Sequence, residues 1–459
     1  MDGPRARHWA WLTVMIGLLS PLSAHSEISA ELTLRTFDEV WQTVNESYYD
    51  AEFGGLDWKG IGDKYRQQAE ETSSAEALRP ILNDMLGELG ESHFGVIPSS
   101  KVLEESALIE DSSGEEAAEE ATEGSKVLAP EVLTIDDSPT EASEPNESPT
   151  REAEEPHAPS GNYSGIHLRM LADKVIVSAV DAESPAAHAG VHAGVIVTKV
   201  GKLDVATFIA KAADNAPKSF SRDFFILNVL GELTGVTDDD HQSLTVREPN
   251  NRKVQTIRYR PIAYPGKMSH AFANMPSMPL RFEEKQIAIP KGDVLYLAFN
   301  IFLPDLMPQL RKAIRKADKD VVGMIIDLRG NPGGVGAMAN GLAGVLTDEQ
   351  FSLGQMTMRA GHINFVAYPQ KKAFLGPIAV LVDRMSASTS EIFAAGLQER
   401  GRAKVFGRRT MGAALPSFIR ELPNGDRLQH AIADYKTPED RRIEGRGVIP
   451  DVSVELRPK

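Results

Sequence analysis

Two short segments of this chain put reactive groups where a strand-like run hands over to a helix-like one. The first is Arg329-Gly330-Asn331-Pro332-Gly333-Gly334, which follows the apolar run Val321–Leu328. A glycine-rich turn in that place exposes backbone N–H groups at the positive end of a helix dipole, which suits an anion or a developing oxyanion. Its spacing is not G-x-G-x-x-G, so it reads poorly as a dinucleotide site. The second is Ser386-Ala387-Ser388-Thr389-Ser390-Glu391, after the buried-type run Ile378–Val382. A serine there projects at the sheet edge with its successor's amide beside it, so one turn supplies a nucleophile and an oxyanion donor together. The same residues spell a capping box, Ser388 with Glu391, and serines before helices commonly serve as caps. Residue types alone leave both readings open.

A serine nucleophile needs a base. His93, in Glu91-Ser92-His93-Phe94, follows a helical region, where a histidine is often just a polar end residue. His430 lies in the strand-like run Leu428–Ala433 and competes with it, whereas Lys404 sits inside another short strand-like run. Glu444, beside Arg441 and Arg442, reads either as a surface carboxylate or as an orienting acid. His188 and His192 have the i,i+4 spacing of metal ligands, but Gly190 between them and the lack of a partnering Glu favour a surface loop. The chain has no cysteine, which rules out thiolate metal sites, disulfides and a cysteine nucleophile.

These groups must be positioned by the surrounding elements. At 459 residues the chain has room for about three domains. Arg5 and Arg7, the apolar run Trp9–Leu19 and the small residues to Ser26 read as a signal peptide over 1–26, too short to span a membrane. Export to a periplasm or secretion is therefore expected, with no stable membrane insertion after cleavage. A helical unit over 27–100 follows: Phe37, Val40, Trp41, Val44 and Tyr48 recur at helical spacing, as do Trp58, Ile61 and Tyr65, then Leu78, Ile81, Leu82 and Leu86. Residues 101–160 hold 18 acidic and 3 basic residues and no aromatic one, and read as a disordered acidic insert. The formal net charge of −16 is concentrated there and argues against a nucleic-acid partner. Residues 161–263 read as a β-rich unit, 264–289 as a connecting segment, and 290–459 as an α/β domain of alternating strands and helices around a largely parallel sheet.

Within the β-rich unit, Ser184-Pro185-Ala186-Ala187-His188-Ala189-Gly190-Val191, then Gly194-Val195-Ile196-Val197 and Val200-Gly201, resembles the signature of PDZ domains, with Val195 at the usual Asp position. That resemblance implies a groove in which Gly165, Ile166 and His167 receive a peptide C-terminus as an added strand. The segments Ile325-Ile326-Asp327-Leu328-Arg329-Gly330-Asn331-Pro332-Gly333-Gly334 and 380–412 resemble the oxyanion loop and serine segment of the C-terminal processing (tail-specific) serine peptidases. This likeness implies a crotonase- or ClpP-like catalytic domain with Ser388 as nucleophile. Oxyanion donors would be the Thr389 amide and a glycine amide at Gly333 or Gly334. The lysine base of that branch is missing, since Ala413 stands in its place. Ser92-His93 and Glu444-Gly445-Arg446-Gly447-Val448-Ile449-Pro450-Asp451 are instead similar to the tricorn-core branch, although Gly445 replaces an Asn. By that similarity His93 takes the Ser388 proton while Ser92 and Glu444 orient the imidazolium. The implied protein is an exported serine endopeptidase acting on proteins or peptides presented by their C-termini, with no metal or organic cofactor; a non-catalytic peptide- or ligand-binding protein on the same fold is the alternative. An imidazole near the ordinary value of about 6.5 would lose activity as pH drops through that value.

Overall fold

A computed structural model describes residues 28–97, 162–171, 173–215, 222–235, 241–250, 253–272, 277–317 and 320–454. The expected signal peptide and acidic insert lie outside these residues. Helix α1 (Ala30–Ser47) starts where the Ser29 hydroxyl accepts the Leu32 N–H at 3.1 Å. Helices α2 (Trp58–Glu70) and α3 (Ala75–Gly87) start on Asp57 and Ser74 in the same way. The apolar stripe of α1, Phe37, Val40 and Val44, meets Leu78, Leu82, Met85 and Leu86 of α3 in one core. Rings of Tyr48, Phe53 and Trp58 stack along its end at 5.0 and 5.4 Å.

That core is not closed by the N-terminal segment alone. Strand β1 (Gly95–Ile97) pairs antiparallel with a strand from the far end of the chain, Arg427–Ala431, which is itself paired to Ser417–Glu421. Leu415, Leu422, Leu428 and Ala431 from this late hairpin complete the helical core. The Asp426 carboxylate at its turn is fully buried and accepts from Arg79 of α3 at 2.8 Å. The expected helical unit is thus a composite of both ends of the chain.

The β-rich unit is an antiparallel sheet in the order β2 (Ile166–Leu171), β3 (Lys174–Val180), β4 (Ile196–Val200), β6 (Gln242–Arg247), β7 (Val254–Tyr259), with the short β5 (Leu203–Asp204) beside β4. Helix α4 (Pro185–His188) is capped by Ser184; α5 (Val205–Asn215) and α6 (Arg222–Leu233) follow β5. Strand β2 forms an edge, with α6 beside it.

In the third unit, β8 (Phe282–Ile289) runs antiparallel to β9 (Gly292–Phe299). The segment expected to be a connector, 264–289, is therefore one only in its first part, because its last eight residues are the edge strand of the large sheet. Helix α7 (Met307–Lys316) leads to β10 (Val321–Asp327), and α8 (Gly336–Ala343) follows the glycine turn. A side sheet, β11 (Phe351–Met358) with β12 (Gly361–Ala367), intervenes before β13 (Ile378–Val382). Helix α9 (Thr389–Glu399) and β14 (Lys404–Gly407) follow; β15 and β16 are the hairpin strands named above, β17 (Asp434–Lys436) joins β11, and β18 (Val452–Ser453) ends the sheet. The six-stranded order is β18-β14-β13-β10-β9-β8, parallel except for β8. Both glycine turn and serine turn leave the C-terminal ends of adjacent central strands, β10 and β13, the place where open parallel sheets present ligand sites.

Replacing Arg79 by Ala leaves the buried Asp426 carboxylate without its guanidinium. The expected cost is about 3 kcal/mol, read as a lower urea midpoint. Combining it with Asp426→Asn should recover part of that loss; equal midpoints for wild type and Arg79→Ala would refute the pairing as a stabilising contact.

Candidate active site

The glycine turn is braced from within by Asn331. Asn331 is fully buried; its amide donates to the Phe299 carbonyl at 2.8 Å and its Oδ1 accepts the Gly333 N–H at 2.9 Å. Its Oδ1 and its own carbonyl also accept from the Ser390 hydroxyl at 3.1 and 3.0 Å, and the carbonyl receives the Ala387 N–H. Asp383, at the end of β13, accepts the Gly330 and Met385 amides at 3.0 Å each. Neither residue was singled out from the sequence; the Asn beside a Pro-Gly-Gly and the Asp closing an apolar strand were the available signals. Together they lock the two turns against each other.

Glycine is required at Gly333. Its φ is +103°, and a Cβ there would stand 2.8 Å from Ser388 Cβ and from the Thr389 nitrogen. The turn therefore lies directly against Ser388. The Gly333 amide is spent on Asn331, whereas the Gly334 and Thr389 amides have no acceptor among the described residues. Of the two glycines expected to offer a donor, Gly334 is the one with its N–H left over. The Thr389 hydroxyl donates to the Gly334 carbonyl at 2.7 Å, which ties the two residues carrying the spare amides together.

The three serines of the run separate cleanly. Ser386 and Ser390 are fully buried, and their hydroxyls donate to Leu328 and Asn331 oxygens. Ser388 is half-buried, with φ +52° and ψ −120°, a conformation that strains a residue with a side chain. It is held there by its N–H, which donates to the Ala413 carbonyl at 2.7 Å and to the Glu391 carboxylate at 3.1 Å. Glu391, seen in the sequence only as half of a capping box, is fully buried and also accepts from the Thr410 hydroxyl and the Gly412 and Ala413 amides at 2.5 to 2.9 Å. Burial pushes its pKa up to about 7 against the pull of those donors.

Ala413 and Ala414 are consecutive. The first accepts from Ser388, and the second donates its N–H to Glu444 at 3.0 Å. Glu444 is buried and accepts two more bonds, from the Ser92 N–H at 2.6 Å and the Ser92 hydroxyl at 2.9 Å. Burial raises its pKa, while the Ser92 and Ala414 donors favour the charged form. Since the Ser92 hydroxyl gives its one proton to Glu444, its 2.7 Å contact with His93 Nδ1 must be accepted from an Nδ1–H. That leaves the His93 Nε2 lone pair free. His93 itself has φ +61°, and burial lowers its pKa to about 4, not the ordinary value expected from sequence. Its neutral form therefore persists well below neutral pH.

The other histidines that the sequence offers as candidates have partners of their own. His430 faces away into the helical core, with Nδ1 3.0 Å from the Ser47 hydroxyl, and burial lowers its pKa to about 4. His188 and His192 pair with different carboxylates, Glu183 and Glu248. Ile166 and His167 line a cleft of about 1310 Å³ between the β-rich unit and the large sheet, which reaches Gly330 and Asp383. Gly165 is not on its wall: its φ is +81°, a Cβ would overlap Ser184, and its carbonyl accepts the Asp181 N–H. The His167 ring sits between Asp181 at 2.6 Å and Arg281 at 3.1 Å, and the His167 carbonyl accepts from the Ser178 hydroxyl at 3.1 Å.

Comparison with known proteins bears on the same segments. Residues 293–454 match peptidase family S41, and residues 34–87 match the Tricorn protease C1 domain. A protein named "Probable CtpA-like serine protease" from Staphylococcus aureus (strain COL) is 28% identical over 305 residues, covering 64% of this chain and 53% of the relative. The protein of the same name from Staphylococcus epidermidis is 27% identical over 305 residues, covering 64% of this chain and 54% of its own. The chain thus spans about half the length of the curated relatives it matches. Among solved structures, the photosystem II D1 C-terminal processing protease superimposes with a TM-score of 0.56 at 19% identity, covering 92% of this chain and 93% of that one. Mature CPAF superimposes with a TM-score of 0.55 at 13% identity, covering 92% of each. At these identities the likeness is one of mixed helix-and-sheet fold. The segment that carries the glycine turn, Ser388 and Glu444 is thus similar to peptidase family S41, and the helices that lead to His93 are similar to a Tricorn C1 domain.

Proposed function

We propose that the protein is an exported serine endopeptidase whose nucleophile is Ser388 and whose base is His93. The observation that carries this reading is the link from Ser388 through Ala413 and Ala414 to Glu444, Ser92 and His93. His93 Nε2 removes the hydroxyl proton as Ser388 Oγ attacks a peptide carbonyl. The imidazolium then formed keeps its Nδ1–H on Ser92, whose hydroxyl passes the favourable interaction to ionised Glu444. Negative charge gathers on the former carbonyl oxygen, and the spare Thr389 and Gly334 amides stabilise it. His93 returns the proton to the leaving amine, and water cleaves the serine ester by the same path. The chemistry calls for no metal or organic cofactor.

The edge strand β2 and helix α6 form a PDZ-like groove in this reading, with Ile166 and His167 on its wall. A substrate C-terminus would add as a strand there, and the cleft leads toward the turns that carry Gly334 and Ser388. Residues 1–26 would direct export to a periplasm or outside the cell and then be removed.

A fluorophosphonate probe should label the wild type and Ser386→Ala and Ser390→Ala variants, and should not label Ser388→Ala. Unchanged labelling of Ser388→Ala would end the proposal in favour of a non-catalytic peptide binder.

His93→Ala should lower kcat/KM by about 10³-fold or more. Because His93 must be neutral to accept the proton, activity falls as pH drops through its pKa. Burial places that limb near pH 4 rather than 6.5, so kcat/KM on labelled casein should be level from pH 7 to about 5. A limb centred at 6.5 would contradict the buried, neutral imidazole.

A further inference from the structure

The segment Glu91-Ser92-His93 is attached to the peptidase domain by two neighbouring rungs, and only one has been used so far. Ser92 bonds Glu444. Beside it, Arg442 Nη2 donates to both carboxylate oxygens of Glu91 at 2.8 Å. The same guanidinium donates to Tyr49 Oη at 2.7 Å and, through Nε, to Asp434 of β17 at 2.8 Å. Tyr49 Oη in turn donates to Glu91 at 3.1 Å. Glu91 and Asp434 side chains are only 12% and 17% exposed, so the ion pairs are shielded from water more than ordinary surface pairs.

A single rung at Ser92 would leave the segment free to turn about its bonds to Glu444. The backbone has cause to do so, because His93, a residue with a side chain, holds a φ of +61°, and Gly90 before it is conformationally permissive. A second rung one residue away removes that rotation. It also sets charge. Glu91 is the carboxylate whose field works against ionised Glu444, and Arg442 is the cation forked onto it. The groups facing this cluster are Tyr48 and Tyr49 from the end of α1, Asp50 just after them, Asp434 from β17, and Lys436, whose backbone pairs with Arg442 and whose amine is taken by Asp440.

We propose that Arg442 is a positioning residue for the base: its fork onto Glu91 fixes the orientation of Ser92-His93 and offsets the Glu91 charge beside Glu444. This rests on the reading of His93 as the base. The contacts of Arg442 are Glu91, Tyr49 and Asp434, so it acts through Glu91 and Glu444 rather than on Ser388.

The test uses the full chain, with turnover on labelled casein and active sites counted by fluorophosphonate. Arg442→Ala should lower kcat per titrated site about 100-fold, the size of a misplacement near 1 Å, with KM changed less than threefold. Its acid limb should move to higher pH, since without the cation the unoffset Glu91 charge favours protonation of both His93 and Glu444, and added guanidinium ion should restore part of kcat. Glu91→Ala should lose kcat similarly, and the double variant should be no worse than either single one. If Arg442→Ala does not fold, Glu91→Ala with the Arg442→Lys variant carries the same test, because a lysine cannot fork onto Glu91 and reach Asp434 together. Unchanged kcat per site in these variants, or a loss with an unmoved pH profile and no rescue, overturns the proposal. His93→Ala separates the two readings: an active His93→Ala refutes the base, whereas an inactive one alongside a normal Arg442→Ala refutes only the role of Arg442.

Discussion

A buried carboxylate near one end of the chain governs the architecture around Ser388. Glu444 has been taken out of water, and an isolated buried charge would cost several kcal/mol. Three donors offset that cost, and they come from distant places: Ser92 supplies two, 352 residues earlier, and Ala414 the third. Withdrawing any of the three weakens the compensation of a buried charge, and the Ser92 N–H is the donor that Oε1 depends on. The N-terminal helices are thereby obliged to dock on the peptidase domain, and β1 pairing with β16 and the shared core of Leu415, Leu422 and Leu428 make that docking apolar and continuous. Position of the imidazole and stability of the interface are one requirement.

A second buried carboxylate shapes the serine side. Glu391 gathers the Ser388, Gly412 and Ala413 amides and the Thr410 hydroxyl around a single side chain. Those bonds hold Ser388 in a backbone conformation that its side chain disfavours. His93 also has positive φ. Strain at both residues persists because the surroundings over-determine it. The absence of lysine at Ala413 fits this arrangement: that position is used for its backbone, whose carbonyl receives Ser388 and whose amide reaches Glu391.

The β-rich unit meets the same machinery from the other side. Arg169 of β2 lies 3.3 Å from Asp383, the residue that braces both the glycine turn and the serine turn. The cleft between the units has walls from β2, α6 and the ends of β9 and β10. A peptide lying along β2 would therefore run close to the loops that hold Ser388 in place.

Much of the peptidase domain is legible from residue order. The runs Val321–Leu328 and Ile378–Val382, the glycines after the first and the serines after the second already specify parallel strands with reactive turns at their ends, because period and turn chemistry are local properties. The antiparallel strand Phe282–Ile289 was hidden, since its charged, exposed residues carry no apolar run. Which serine is free could be told only by similarity, and the structure adds the physical reason: two hydroxyls are consumed by carbonyls that folding brings to them. Likewise no spacing relates Ser92 to Glu444, Glu91 to Arg442 or Asn331 to Ser390. Hydrogen bonds between residues far apart in sequence, and the pKa shifts that burial imposes, exist only once the chain has closed; local pattern sets the elements, and desolvation in the folded state decides which side chains must meet.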